Sequence, residues 1–514
     1  MSIKFLFTPA FIFLFFCVSA QESTDYKRLK CKGVVPLDIT KRTSDKVKDG
    51  INTDVTSKDK KKVAKSKSNF ILKSNYILDE LLTGGTVLFG DDVTKYVNKI
   101  ADKILEDEPD LRNELRFYCV RSNLTNAFST HQGMIFITLG LISQLENEAQ
   151  LAYVIGHEIT HYKKKHTINS ILESEKIFSN RSKTKKVSFD DNIIKLSNYS
   201  KSLELEADSA GFYMLENAGY DLTAALDIYD VLQFSFLPFY EEPFDYSSFE
   251  SEFYSLPEEF KLKDANPIDF EVNDDDERSS HPNLNLRREV VQDLIGDKVS
   301  GVKFIVNNES EFNDIRKQCR YETVRLDLAA LSYVKAYYNS DLLLKKNSGS
   351  VYLKNSKFKA LYGLSMYKSF SYYSNLGLQY LNDEGYISQA YYLFKEIDAK
   401  SLSLFAIKEG WELLLLEENT LTRKRLKSLI EFSIRRKELN IRELTTELKK
   451  PYEIEKVDST ENNAELSKYE QLKKIKNKKS SKSEYNILRD VNELDKLIKY
   501  LNESVNSLSR LIDK

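Results

Sequence analysis

Apolar residues along this 514-residue chain recur mainly at the three- and four-residue intervals of helices. Between residues 301 and 450, the series Leu326, Ala329, Ala330, Val334 and Tyr337 keeps to one helical face. The last thirty residues carry a tighter pattern. Val491, Ile498, Val505 and Ile512 repeat every seven positions, and so do Ile487, Leu494, Leu501 and Leu508. With β-branched residues at a and mostly Leu at d, residues 484–514 read as an amphipathic or coiled-coil helix, a route to a parallel homodimer. Leu497 and Leu511 at g widen the stripe, however, and a helix docked on the chain's own core explains that width equally well.

Composition divides the rest. Residues 1–20 read as a signal peptide. Lys4 gives a basic start, Phe5 to Val18 is almost wholly apolar, and Val18-Ser19-Ala20 offers small residues for cleavage. The run is too short to read first as a membrane span, and nothing after it is long and apolar enough to be one. The expected location is therefore periplasmic or secreted. Lipoprotein anchoring through Cys17 ranks lower, because the bulky Phe16 precedes it. Residues 21–70, with Ser57-Lys58-Asp59-Lys60-Lys61-Lys62, read as a disordered linker. Residues 71–300 have the size of one domain. Within them, residues 234–280 form an aromatic and acidic insertion with Phe244, Phe249 and Tyr254. Two readings stay open for it: a lid, or a loop folded on its own aromatics. Residues 301–450 read as an irregular helical domain. One stretch, Ala390-Tyr391-Tyr392-Leu393-Phe394 after the turn Asn382-Asp383-Glu384-Gly385, is similar to a tetratricopeptide hairpin, but no second copy follows in register. Residues 451–483 read as a charged linker.

Charge narrows the function. Lys and Arg total 76 against 78 Asp and Glu, a net charge of −2. That balance argues against a nucleic-acid partner. Cys31, Cys119 and Cys319 follow the signal segment, which allows at most one internal disulfide.

The chemistry lies in His157-Glu158-Ile159-Thr160-His161, which holds two of the five histidines in the chain. Good helix formers, Glu148 to Gly156, lead into it without proline. On a helix, residues four apart share a face, so both imidazoles reach one metal ion. Glu158 lies beside that face, where it can take a proton from the attacking water without ligating. The pattern H-E-x-x-H therefore points to a hydrolytic zinc site, with one Zn2+ per chain. The blander reading is a pair of polar residues on an amphipathic helix. Catalytic zinc needs a third protein ligand. Downstream, Glu204 and Asp208 are four apart in a second helical stretch. Glu204 is the candidate third ligand, and Asp208 a candidate acceptor for the free N–H of a ligand imidazole. Glu206 points roughly opposite and is expected to leave the metal untouched.

Taken together, His157–His161 and Glu204-x-x-Ala207-Asp208 resemble the gluzincin metallopeptidase family of the CAAX prenyl protease, HtpX and BepA-type periplasmic peptidases. Three further matches support this: Asn126-Ala127-Phe128 before Gly133 to Leu141, Lys165-His166 after the motif, and His281-Pro282 with Arg287. The resemblance covers roughly residues 76–295. It implies a mainly α fold with a small β-sheet, in which a zincin-type domain is followed by the helical domain and the C-terminal helix. It also implies that Asn126, Ala127 and Phe128 lie on an edge strand that pairs with extended substrate. His281 would stabilise the oxyanion or cover the metal at rest. Arg287 would orient carboxylates or support transition-state charge. His131 and His166 are expected to be structural. The implied function is a zinc-dependent metalloendopeptidase of the cell envelope or extracellular space, acting on proteins or peptides, with partner proteins on the helical domain. The alternative is a chaperone or assembly factor that uses the fold to bind clients.

Overall fold

A computed structural model describes residues 25–56, 61–166, 201–269, 284–370, 384–452 and 483–512. The expected signal peptide and all but the ends of the 451–483 linker lie outside the described residues.

Four strands, β1 (Val87–Leu88), β2 (Arg116–Val120), β3 (Ala127–Ser129) and β4 (Met134–Thr138), form one sheet in the order β1-β2-β4-β3. β2 runs parallel to β4, with Cys119 opposite Ile137, and β3 is antiparallel to β4, with Phe128 opposite Phe136. Successive side chains of a strand point to opposite faces. Phe117, Cys119, Ala127, Ile135 and Ile137 enter one core, whereas Tyr118, Val120, Phe128, Met134 and Phe136 enter another. Both faces are covered, so Met134-Ile135-Phe136-Ile137 is continuously apolar rather than alternating.

The second face is covered by a helix that begins inside the expected 21–70 linker, and the disordered reading is corrected for residues 25–56 and 61–70. The segment forms α1 (Leu37–Thr40), α2 (Thr43–Asp54) and the start of α3 (Lys61–Thr83). Ile71, Leu78, Leu81 and Leu82 of α3 are buried, the last three against the sheet. The many lysines mask this stripe when composition alone is read. Lys46 is itself buried against Asp79, and Asp38 accepts hydrogen bonds from Arg116 and Tyr118 of β2. A domain start at residue 71 would cut α3 in two.

The first face packs on α4 (Asp92–Ile104) and α7 (Glu148–Lys163). Between them in sequence lie α5 (Pro109–Glu114) and α6 (Leu139–Gln144). Asn147 caps α7, its side chain accepting from Gln150 N at 3.0 Å. Glu148, fully buried at the first turn, accepts from Tyr96 Oη at 2.6 Å and Tyr220 Oη at 2.7 Å. It also accepts from the backbone N–H groups of Ile305 and Val306. The start of α7 is thereby fixed to the segment that leads into the helical half. α8 (Lys201–Asn217), α9 (Ala224–Gln233) and α10 (Leu284–Ile295) complete this layer.

The helical half comprises α11 (Glu309–Ala329), α12 (Tyr333–Lys346), α13 (Val351–Ser369), α14 (Ile387–Glu396), α15 (Ala399–Leu416), α16 (Thr420–Arg435), α17 (Ile441–Lys449) and α18 (Leu494–Ile512). The insertion belongs here. Phe244, Phe249, Tyr254 and Leu256 are buried among Tyr337, Phe394 and Phe405, and Gln389 accepts from Phe244 N at 3.0 Å. Over 244–256 the insertion's aromatics touch one another, Phe244 meeting Tyr246 and Phe249, and also fill the helical domain's core. The C-terminal stripe enters the same core through Ile487, Val491, Leu497, Ile498 and Leu501. This corrects the coiled-coil and homodimer reading over residues 487–501, because that seam is already buried at home. The g-position Leu497, buried with the others, is the physical reason. Among the described residues no helix is long and apolar enough to cross a membrane. Cys31, Cys119 and Cys319 are free thiols, so none of them forms the disulfide that was allowed.

Candidate metal centre

α7 and α8 touch backbone to backbone. A methyl group on Gly211 of α8 would come within 2.8 Å of the His157 backbone nitrogen, and one on Gly156 within 3.3 Å of the Gly211 oxygen. Only glycine permits such an approach, and it brings the acidic face of α8 against the histidine face of α7. His157, His161 and Glu204 are all buried, and one ligand atom from each lies within 4.8 Å of the others. The two Nε2 atoms are 3.0 Å apart. Glu204 carboxylate oxygens lie 3.6 Å from His157 Nε2 and 3.5 Å from His161 Nε2. Tetrahedral bonds of about 2.0–2.1 Å to one ion require ligand separations of about 3.3 Å. The donor set therefore fits a metal ion without rearrangement. Glu158, between the two histidines, is buried in the same helix.

Asp208 lies behind this group. Its Oδ1 is 3.0 Å from His157 Nδ1, the nitrogen opposite the one facing Glu204. Arg287 of α10 donates to both Asp208 oxygens, at 2.6 Å each, and its Nη1 is 2.9 Å from Glu204 Oε2. Burial raises the Asp208 carboxyl, but the Arg287 charge and hydrogen bonds outweigh it, and Asp208 is held well below the usual carboxylate range. Burial likewise opposes the Arg287 charge, and Asp208 and Glu204 together prevail. Tyr153 donates to Asp208 at 3.2 Å, and the Tyr229 ring lies 5.5 Å from the guanidinium. Arg287 thus contacts two carboxylates, Asp208 and Glu204.

β3 is the last strand in the sheet order, and α7 packs against it. Ala127 and Phe128 lie in it, with Asn126 just before. His281 lies outside the described residues. His131 packs edge-on to Phe70, and burial pushes it down to about 4. His166 stands beside a candidate ligand. Its Nδ1 is 2.9 Å from His161 Nδ1 and its Nε2 is 3.1 Å from Glu206 Oε2. Burial holds its imidazole below the ordinary value, with Glu206 opposing. Tyr153, Tyr229, Gly211 and His166 were not assigned to the site from sequence. For His166 a signal existed, the Lys165-His166 match itself.

Two histidines one turn apart on a buried helix, a carboxylate from a second helix and an acidic partner behind one imidazole define a zincin-type site of the gluzincin class. Residues 91–295 match the pattern of Peptidase family M48, so the chain carries an M48 peptidase domain. The chain is 22% identical over 103 residues to a β-barrel assembly-enhancing protease of Yersinia pestis, covering 20% of this chain and 21% of that one. It is 29% identical over 124 residues to the mitochondrial metalloendopeptidase OMA1 of Arabidopsis thaliana, covering 22% and 24%. It is 25% identical over 154 residues to a putative β-barrel assembly-enhancing protease of Vibrio cholerae, covering 26% and 31%. The matches thus span between a fifth and a third of these relatives' lengths.

Proposed function

We propose that this chain is a zinc-dependent metalloendopeptidase that hydrolyses peptide bonds in protein substrates. The observation that carries the proposal is the buried group His157, His161 and Glu204, with Glu158 between the two imidazoles. These three residues would hold the zinc, which when bound supplies Lewis-acid activation of water and of the scissile carbonyl. Glu158 accepts the proton of the attacking water and passes it to the leaving amine. Asp208 would accept a hydrogen bond from Nδ1–H of His157, which keeps that proton on Nδ1 and leaves Nε2 free to ligate. Arg287 keeps Asp208 ionised and holds both carboxylates in place. The position of β3 beside α7 supports the reading of Asn126 to Phe128 as the strand along which an extended substrate lies. By the family resemblance, His281 would stabilise the oxyanion or cover the metal at rest.

A location in the cell envelope or outside the cell is supported by the apolar run Phe5 to Val18. A role in protein quality control, and protein partners on the helical domain, fit relatives that include assembly-enhancing proteases. The test is metal content, together with cleavage of an unstructured protein such as casein, for wild type and Glu158→Gln. The variant should keep its zinc and lose hydrolysis by orders of magnitude. Equal cleavage by both would sink the mechanism. Absence of cleavage in wild type with zinc bound would favour the alternative, client binding without hydrolysis, whose support is the large helical domain.

A further inference from the structure

We propose that His166 and Glu206 are positioning residues for His161, a relay that fixes the tautomer and ring plane of this metal ligand from the solvent side. The inference rests on the metal-site reading above, and goes beyond it in assigning work to two residues outside the ligand set.

The protons dictate the direction of the relay. His161 Nε2 faces His157 Nε2 at 3.0 Å and Glu204 Oε1 at 3.5 Å, so Nε2 is the ligating atom. A ligating imidazole is neutral and carries its proton on the other nitrogen. His161 Nδ1–H therefore donates, and the atom 2.9 Å away is His166 Nδ1, which must accept. An imidazole accepting at Nδ1 holds its own proton at Nε2. His166 Nε2 is 3.1 Å from Glu206 Oε2, an acceptor. Glu206 is held in turn by Lys164, whose Nζ is 2.8 Å from Oε1. Both imidazole N–H donors in the series point away from the metal group, and only one pair of tautomers satisfies this. A histidine present merely to fill space would show no such agreement.

The backbone supports the assignment. Lys165 has φ +58°, the left-handed region that is uncommon for a residue other than glycine. That turn directs the chain back after α7, and His166 is 1% exposed beside His161. Glu206 and Lys164, at 45% and 50% exposed, end the relay in solvent. The two ligand histidines are thus oriented differently. His157 meets a carboxylate directly, inside the protein. His161 reaches its carboxylate through a second imidazole. Glu206 touches no ligating atom, as its place on α8 predicts, yet it acts on the metal at one remove.

The full-length protein is tested with zinc affinity, measured by competition with a chromogenic chelator, and the visible ligand-field spectrum of the Co(II)-loaded protein. Loss of such an orienting partner typically costs about 10–100-fold in metal affinity. His166→Ala should show a loss of that size and altered cobalt bands. His166→Asn places an amide oxygen where Nδ1 stands and should recover most of both. Glu206→Gln, at a half-exposed position that tolerates substitution, should give a smaller loss in the same direction. Wild-type affinity and spectrum in His166→Ala would overturn the relay, as would failure of His166→Asn to recover them. If neither His166 variant folds, Glu206→Gln decides, and an unchanged affinity overturns it. Peptide cleavage is not a readout here. A chain that binds zinc with this dependence but cuts nothing sinks the peptidase proposal and keeps the relay. A chain that cleaves normally and binds zinc equally well without His166 does the reverse.

Discussion

Arg287 and Asp208 stand 79 positions apart in sequence and meet as a two-bonded fork, Nε to Oδ2 and Nη2 to Oδ1, each at 2.6 Å. Both are buried, and the same guanidinium reaches Glu204. Removing one partner of a buried ion pair costs roughly 3–5 kcal/mol, because the remaining charge is left without compensation. Arg287→Ala should therefore lower unfolding free energy by about that amount and weaken zinc binding. Arg287→Lys, a point charge without the planar fork, should fall between. Denaturant titration and chelator competition check both. A variant as stable and as tightly metallated as wild type would show that the fork does not hold the site.

Gly211 offers a test that touches no ligand. Alanine in a helix interior is ordinarily favoured over glycine by up to about 1 kcal/mol. At Gly211 the added methyl group meets the His157 backbone at 2.8 Å, where nothing can rotate away. Overpacking of this kind costs about 1–3 kcal/mol. Gly211→Ala should destabilise the protein and weaken zinc binding by parting α7 from α8. A stabilised variant with full affinity would mean that the two helices have room to spare.

Asp327 predicts a pH dependence outside the metal centre. Burial raises its carboxyl from 3.8 to about 7, against the hydrogen bonds from Asn123 and Asn339. The folded protein therefore keeps a proton that the unfolded chain releases near pH 4. The stability from this group is fully present below pH 4 and is lost as pH rises toward 7. Three units correspond to about 4 kcal/mol at most. Asp327→Asn cannot ionise, so its stability relative to wild type should rise between pH 4 and 7 and stay higher at pH 8. A difference that does not change with pH would refute the assignment.

The C-terminal stripe makes a prediction about mass. Leu501 is fully buried in the core of the helical domain. Leu501→Asp should cost several kcal/mol through lost apolar burial and an added buried charge. The melting temperature should fall, while the mass measured by light scattering stays that of wild type. A drop to half the wild-type mass would instead restore the dimer seam.

The metal group was legible in sequence because its chemistry is local. His157 and His161 must be four apart on one helix, and Glu204 and Asp208 repeat that spacing on another. Arg287 was reached only through the family resemblance, since no periodicity links it to Asp208. Glu206 was judged correctly as a residue facing away from the metal, and yet its reach through His166 was invisible, because that contact depends on the left-handed turn at Lys165. Gly211 carried no signal, as helical glycines are common and only the crossing partner gives one meaning. The N-terminal helices were missed for a different reason. The lysine-rich composition of residues 21–70 reads as solvation, and Tyr26, Leu29 and Lys46, which are buried there, are too scattered to form a periodic stripe. The insertion at 244–256 left its neighbour open in sequence, because aromatics announce burial but not the surface against which they will be buried.

The N-terminal chain also changes what counts as a separable piece. Asp25 accepts from Tyr352 N, Tyr26 packs at a tilt against the rings of Tyr321 and Tyr352, and Leu29 N donates to Glu322, all in the helical half. Three residues later, Lys32 N donates to Phe89 O beside β1. α3 then supplies Leu78, Leu81 and Leu82 to the sheet. A fragment cut to residues 91–295, where family similarity begins and ends, would leave Tyr118, Val120, Phe128, Met134 and Phe136 facing water. The segment that family similarity marks as one module is therefore smaller than the unit whose core it shares.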